Sequence, residues 1–301
     1  MQWLATTESL IAILLGLATI VAAIYKLYKK DKTLSPDIDA PTIVSRFIEV
    51  FENHGVHRNQ IPRFFGHGLT LADVQDDNKL LSKLTEDMLY SVCKKFAIRR
   101  EWLDGAEAQI YTFHDFYKKP SKALEFIESL KADNPDDELI GVLIAPEESK
   151  YRAEAIVIIQ ETIGYVGDKS IYRYHLCNNW LFSYWKPRAY LAAFVAMAWK
   201  NNIYIHGIYK PKEFIDELAS GEKLLGWQGD DIYIFGHIDW YPEDMALDPD
   251  IYLNGVDKES NNHGLVAGLQ LWLKLHDLGY MDTEFEDARN KFEAELNRIK
   301  L

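Results

Sequence analysis

Two clusters of side chains in this 301-residue chain are of types that do chemistry. The first is residues 236–250, GHIDWYPEDMALDPD. His237 and Asp239 stand at i and i+2, on one side of an extended strand, and Glu243, Asp244, Asp248 and Asp250 follow. An imidazole with several carboxylates is the donor set of a divalent-cation site, so His237, Asp239, Glu243 and Asp244 are the metal-ligating candidates. No fixed ligand spacing accompanies them, and an acidic, solvated loop at a strand end has the same composition. The second cluster is His175 and Cys177, an H-x-C pattern that puts both side chains on one face of a strand. With His206 approaching from a neighbouring strand, a Cys–His pair supports nucleophilic catalysis. A buried structural thiol beside a packed imidazole is the competing expectation. Tyr174, His175, Trp180, Trp185, His206 and Trp240 form a candidate pocket for an apolar or ring-shaped ligand. A core built from large residues gives the same aromatic density.

The common nucleotide, metal and nucleophile signatures are absent: there is no GxxxxGK[ST], GxGxxG, HExxH, GxSxG or Pro-Cys-x-x-Cys. The expectation is therefore a protein without a cofactor, with no assigned catalytic residue.

The elements that must position these groups are strands and helices in mixed order. Residues 139–145 (LIGVLIA) and 155–163 (AIVIIQETI) are short apolar runs between turn signals, as buried strands are. Residues 171–185 are rich in aromatics and read as one or two strands with a break at Asn178-Asn179. Residues 187–200 (PRAYLAAFVAMAWK) form a helix with Pro187 in its first turn. Strands over 203–209 and 231–240 and helices over 212–219 and 264–278 follow. The order predicts an α+β fold with a mixed sheet. A thin apolar stripe at Phe285, Ala288, Phe292, Leu296 and Ile299 marks a C-terminal amphipathic helix, which packs on the body or on a second copy.

Charge bounds the partners. The net charge is −13, and residues 1–32 hold Lys26, Lys29, Lys30 and Lys32 against Glu8 and Asp31, which leaves −15 on the rest. Such a body repels nucleic acid and anionic lipid unless basic residues cluster. Two well-separated cysteines, Cys93 and Cys177, argue for a reducing compartment.

Residues 9–25 (SLIAILLGLATIVAAIY) carry no charge and are followed by the lysine cluster. About 20 apolar residues span a bilayer, and lysines stay on the cytoplasmic side. A cleaved signal peptide wants basic residues ahead of the apolar run, and residues 1–8 have none. The expectation is a single-pass anchor in the inner membrane of a bacterial cell, N-terminus out and body in the cytoplasm. The expected layout is an anchor over 1–32, a linker over 33–41, a small all-α module over 42–112, an α+β sensor or interaction domain over 113–280 and the C-terminal helix over 281–301.

Within the all-α module, Ile43, Val44, Phe47, Ile48, Val50 and Phe51 make a helical stripe ending near Gly55, a left-handed cap. Residues 55–66 (GVHRNQIPRFFG) place a short helix between two glycines, with Pro62 inside it. Thr85 opens a further helix with a capping pattern. These stretches, with LSKLTEDMLYSVCKKFAIRREWLDG and its closing Trp-Leu before glycine, resemble the Cro/repressor-type (XRE-like) helix-turn-helix module over about a sixth of the chain. The resemblance implies a compact helical bundle with DNA-binding capacity. Arg58, Gln60, Arg63, Lys79, Lys83, Arg99 and Arg100 are then the DNA- or partner-contacting candidates. The stretch in the recognition-helix position, residues 70–83, departs from the pattern. It carries Asp73, Asp76 and Asp77 against Lys79 and Lys83, where base edges and phosphates call for donors and cations. Protein contact through the same scaffold is the competing expectation.

Three functions fit: a membrane-tethered regulator or sensor, a structural subunit of a membrane assembly, or a membrane-anchored enzyme with its site near residues 237–250. A protein partner or self-association is expected, and nucleic acid is disfavoured by the acidic charge.

Overall fold

The computed structural model describes residues 41–134, 139–147, 153–226, 238–283 and 287–300, and Thr42–Leu301 form one compact unit. The expected anchor lies outside the described residues. Among those described, no helix is long and apolar enough to cross a membrane.

The chain opens with short helices: α1 (Ile43–Asn53), a 3-10 turn at Arg58–Gln60, α2 (Ile61–Phe65), α3 (Leu71–Val74), α4 (Asp77–Lys83), α5 (Glu86–Phe96) and α6 (Arg100–Leu103). The stripe on α1 buries Val44, Phe47, Ile48, Val50 and Phe51, and Gly55 follows at φ 84°. Pro62 sits in the first turn of α2, where its missing N–H costs nothing, so no kink results. The expected single helix over residues 70–83 is two helices. Asp76 is extended, and its carboxylate accepts the N–H groups of Asn78 and Lys79 at 3.0 and 3.1 Å, capping α4. An Asp that satisfies the first free amides of a new helix competes with continuation of the old one.

The mixed α+β body follows. A five-stranded sheet has the order β1-β4-β3-β2-β5, from β1 (Phe113–Asp115), β2 (Leu139–Pro146), β3 (Glu154–Val166), β4 (Lys169–Leu181) and β5 (Tyr204–Lys210). β2, β3 and β4 form an antiparallel meander, while β1 pairs parallel to β4 and β5 parallel to β2. The stretch expected over 171–185 is a single strand that ends at Leu181, and the expected break at Asn178-Asn179 is a bulge within it: the register with β3 shifts between Cys177 and Trp180, where Asn179 takes up a positive φ of 68° that asparagine tolerates. Of the strand expected over 231–240, residues 231–237 lie outside the described residues, and Trp240 makes an antiparallel bridge to Gly207. That approach needs glycine, since a Cβ on Gly207 would stand 2.5 Å from Trp240 Nε1.

Alternation along the strands, shifted at two bulges between β3 and β4, divides the sheet between two cores. Val142, Ile144, Ile156, Ile158, Tyr174 and Leu176 join α1, α5 and α9 (Lys212–Ser220) on one face. Leu143, Ala145, Val157, Ile159 and Cys177 join α7 (Pro120–Asp133), α8 (Trp185–Lys200) and α11 (His263–Asp277) on the other. Burial on both faces is why LIGVLIA and AIVII read as continuous apolar runs. The short α10 (Pro249–Leu253) and the C-terminal α12 (Ala288–Lys300) complete the second layer. Phe292 of α12 stacks on Trp272 of α11 with ring centroids 3.6 Å apart, so the stripe from Ala288 onward is used on the body itself, and Phe285 lies outside the described residues.

Candidate functional site

Glu161 continues the row of Val157 and Ile159 on β3, so alternation drives a carboxylate into the layer beneath α7. It is 3% exposed. A buried carboxylate must be paired or neutralised, and the neighbouring strand supplies the partners. The β3–β4 register sets Arg173 opposite Glu161 and His175 opposite Ile159. Arg173 grips the carboxylate through Nε and Nη2, His175 Nε2 lies 2.6 Å from Oε2, and Asn134, capping α7, donates to Oε1 at 2.8 Å. Burial pushes the Glu161 pKa up, but the bonds from His175, Arg173 and Asn134 outweigh it and hold the acid at about 2. Because the carboxylate is ionised, it accepts, and His175 donates through Nε2–H.

His175 also lines a cleft of about 730 Å³. Cys93, Lys94, Arg99 and Arg100 of the helical module form one wall, and Phe126 and Leu130 of α7, with His114 of β1, form the other. Arg173 ties the two together by donating to the Lys94 carbonyl at 3.1 Å. β1 pairs only with residues 176–178 of β4, so the edge of β4 at residues 173–175 is left to the cleft. The His114 ring lies 6.0 Å from His175 and 4.5 Å from Phe126, and burial, with His175 nearby, lowers its pKa to about 4. The cleft thus presents the imidazoles of His114 and His175 beside an ionised but saturated carboxylate.

Neither cysteine is a nucleophile in this setting. Burial raises the Cys93 thiol to about 11 and the wholly buried Cys177 further still. Cys177 shares a face with His175 as the spacing implies, but His175 is committed to Glu161.

The aromatic set expected to form a pocket is dispersed. Tyr174 and His175 reach the cleft, although the Tyr174 hydroxyl donates to the Gly226 carbonyl at 2.7 Å. Trp180 is sealed in the core near Phe194, and Trp185 starts α8 beside Tyr184. His206 sits on β5, with β2 and β3 between it and β4. Trp240 stacks on Tyr209 at 5.8 Å. Strand alternation and sheet order separate residues that proximity in sequence suggests are neighbours.

The basic candidates are largely spoken for. Arg58 donates to the Val74 carbonyl and pairs with Asp77, clamping α3 to α4. Gln60 accepts the His57 N–H at 3.0 Å as part of a cap. Arg99 pairs with Glu107 at 2.6 Å and Arg100 with Glu86 and Asp104 at 2.7 Å each. Arg63, Lys79 and Lys83 are exposed.

Of the metal candidates, His237 lies outside the described residues. Asp239 accepts the Tyr209 N–H at 2.7 Å, and Glu243 and Asp244 sit in a 3-10 turn at Pro242–Ala246, where burial raises both carboxyl pKa values. Among the described residues, no group of three His, Cys, Asp or Glu side chains is placed to hold a metal.

Glu161, Arg173, His114 and Asn134 escaped the sequence reading. The one available signal was the glutamate that interrupts the apolar run AIVIIQETI. No protein family, curated protein or solved structure matches the chain.

Proposed function

We propose that this chain is a membrane-anchored cytoplasmic regulatory or sensor protein, tethered through residues 9–25, whose α+β body binds a ligand in the cleft beside His175. One observation carries the reading: the walls of the cleft come from both the helical module and the sheet layer. An occupant touching α5, α6 and α7 together favours the arrangement in which the module is docked, and a ligand shifts an equilibrium by its differential affinity for the two states. The cationic rim is balanced by carboxylates, so the occupant is held by shape, ring contacts and the imidazoles more than by charge.

The test is a metabolite screen by thermal shift on the full chain, with His114→Ala and Arg99→Ala as controls. The expected result is a ligand that raises the melting temperature of the parent protein and loses that effect in the controls. Absence of any stabilising ligand, or hits indifferent to both substitutions, overturns the cleft as a sensing site.

For the helical module we favour protein contact over DNA contact. The split of the helix at Asp76 and the pairing of Arg58, Arg99 and Arg100 with carboxylates support that preference. Binding to random duplex DNA that weakens steeply with salt and with Arg63→Ala would reverse it.

A further inference from the structure

On the opposite face of the sheet from Glu161, the core beneath the helical module stops short of one end of the strands. There the register sets Tyr172 of β4 opposite Thr162 of β3, Gln160 of β3 opposite Ile140 of β2, and Ile140 opposite Tyr204 of β5. With His206 and Tyr165 these residues line a shallow groove of about 460 Å³ that crosses four strands. Three inter-strand steps, with a two-residue offset along β3 between Thr162 and Gln160, put Tyr172 and Tyr204 roughly 16 Å apart.

The lining has a distinctive chemistry. No charged side chain contributes to it. Burial lowers the pKa of His206, which keeps that ring neutral at physiological pH. Tyr165 and Tyr204 are more than half exposed. The side chains of Gln160, Thr162, Tyr172, Tyr204 and His206 make no hydrogen bond among the described residues.

We infer that this groove is a binding site for a neutral saccharide, spanning the row from Tyr172 to Tyr204. Phosphorylated and carboxylated ligands find no cation here, and the surrounding acidic body repels them. A purely apolar ligand would cover Gln160, Thr162 and His206 without pairing them, at a desolvation cost. A sugar answers both demands, since its C–H faces pack on tyrosine rings while its hydroxyls pair with the amide, hydroxyl and imidazole groups. The groove accommodates rings lying flat on the sheet between the two terminal tyrosines.

The test titrates the full chain, in a detergent without a sugar headgroup, with maltose, cellobiose and lactose. Glucose 6-phosphate serves as the charged comparison, and saturation-transfer NMR and calorimetry are the readouts. At least one neutral disaccharide is expected to bind, with saturation on its ring protons. Tyr204→Ala is expected to weaken it roughly tenfold or more, and Gln160→Ala to weaken it independently, both with unchanged melting temperature. Tyr241→Ala, at an exposed tyrosine outside the groove, is expected to leave it unchanged. No binding by any neutral disaccharide, tighter binding of the phosphorylated sugar, or binding insensitive to both groove substitutions overturns the inference.

Discussion

Glu161 is a buried charge on which three neighbouring side chains depend. Two oxygens accept from Arg173, His175 and Asn134; without the carboxylate the Arg173 Nε and Nη2 and the His175 Nε2 lose this acceptor, while Asn134 keeps the Leu130 carbonyl and Arg173 Nη1 the Lys94 carbonyl. Breaking a buried ion pair from one side costs about 3–5 kcal/mol. Glu161→Ala is therefore expected to lower stability by that amount in urea denaturation, with Glu161→Gln costing less because it preserves an acceptor oxygen. The same residue sets an acid limit. Its folded pKa of about 2 lies below the ordinary glutamate value, so its contribution is fully present above that ordinary value and fades as pH falls toward 2. His54 acts at higher pH. It is 1% exposed against Phe96 and Tyr174, and burial lowers its pKa to about 4 despite the bond from Nδ1–H to the Val50 carbonyl at 2.7 Å. The unfolded chain then binds a proton that the folded chain refuses. Stability is expected to fall between pH 6.5 and 4, by about 3 kcal/mol for His54 alone. Urea midpoints at pH 7 and pH 5 check the sign, and a flat or rising profile contradicts it.

At the scale of elements, the caps decide where the module's helices begin. Asp76 caps α4 through two amides, and Thr85 caps α5 by accepting the Met88 N–H at 3.3 Å. Replacement of either by alanine is expected to cost about 1 kcal/mol. For Asp76→Ala there is a second readout: without the cap, α3 and α4 lose the reason for their break, and helical content measured by circular dichroism should not fall in proportion to the stability lost. The C-terminal helix is held differently. α12 buries Ala288, Phe292 and Leu296, and the stacked Phe292–Trp272 pair is its main attachment. Phe292→Ala is expected to cost about 3–5 kcal/mol. Hydrogen exchange should then show α12 opening ahead of the sheet, whereas uniform loss of protection would mean that α12 is integral to the global unfolding unit.

For the whole molecule, the two cores on either face of one sheet make the helical module and the body share their stability. A proton on His54 acts at this junction, where the cleft of the proposed function also lies. The membrane tether is the remaining prediction at this scale: the full chain is expected in the membrane fraction and a chain lacking residues 1–32 in the soluble fraction. Soluble full-length protein would remove the anchor from the proposed function.

Much of this architecture was legible in sequence because it follows from local rules. The α1 stripe, the Thr85 cap, the doubly buried strands LIGVLIA and AIVII and the alanine-rich α8 each depend on periodicity within a few residues of the element concerned. The uncharged run 9–25 and the acidic balance are likewise properties of composition. The site was not legible, since it is made by register and sheet order. Glu161 meets Arg173 and His175 only because β3 and β4 pair in one antiparallel register, and Asn134 and His114 arrive from elements whose positions no local pattern states. The same long-range pairing takes His206 and Trp240 away from His175, although all three looked like one aromatic pocket along the chain. Hydrophobic period determines which face a residue occupies. Which residues meet across that face is decided by chain connections between distant segments, and that decision exists only in the folded molecule.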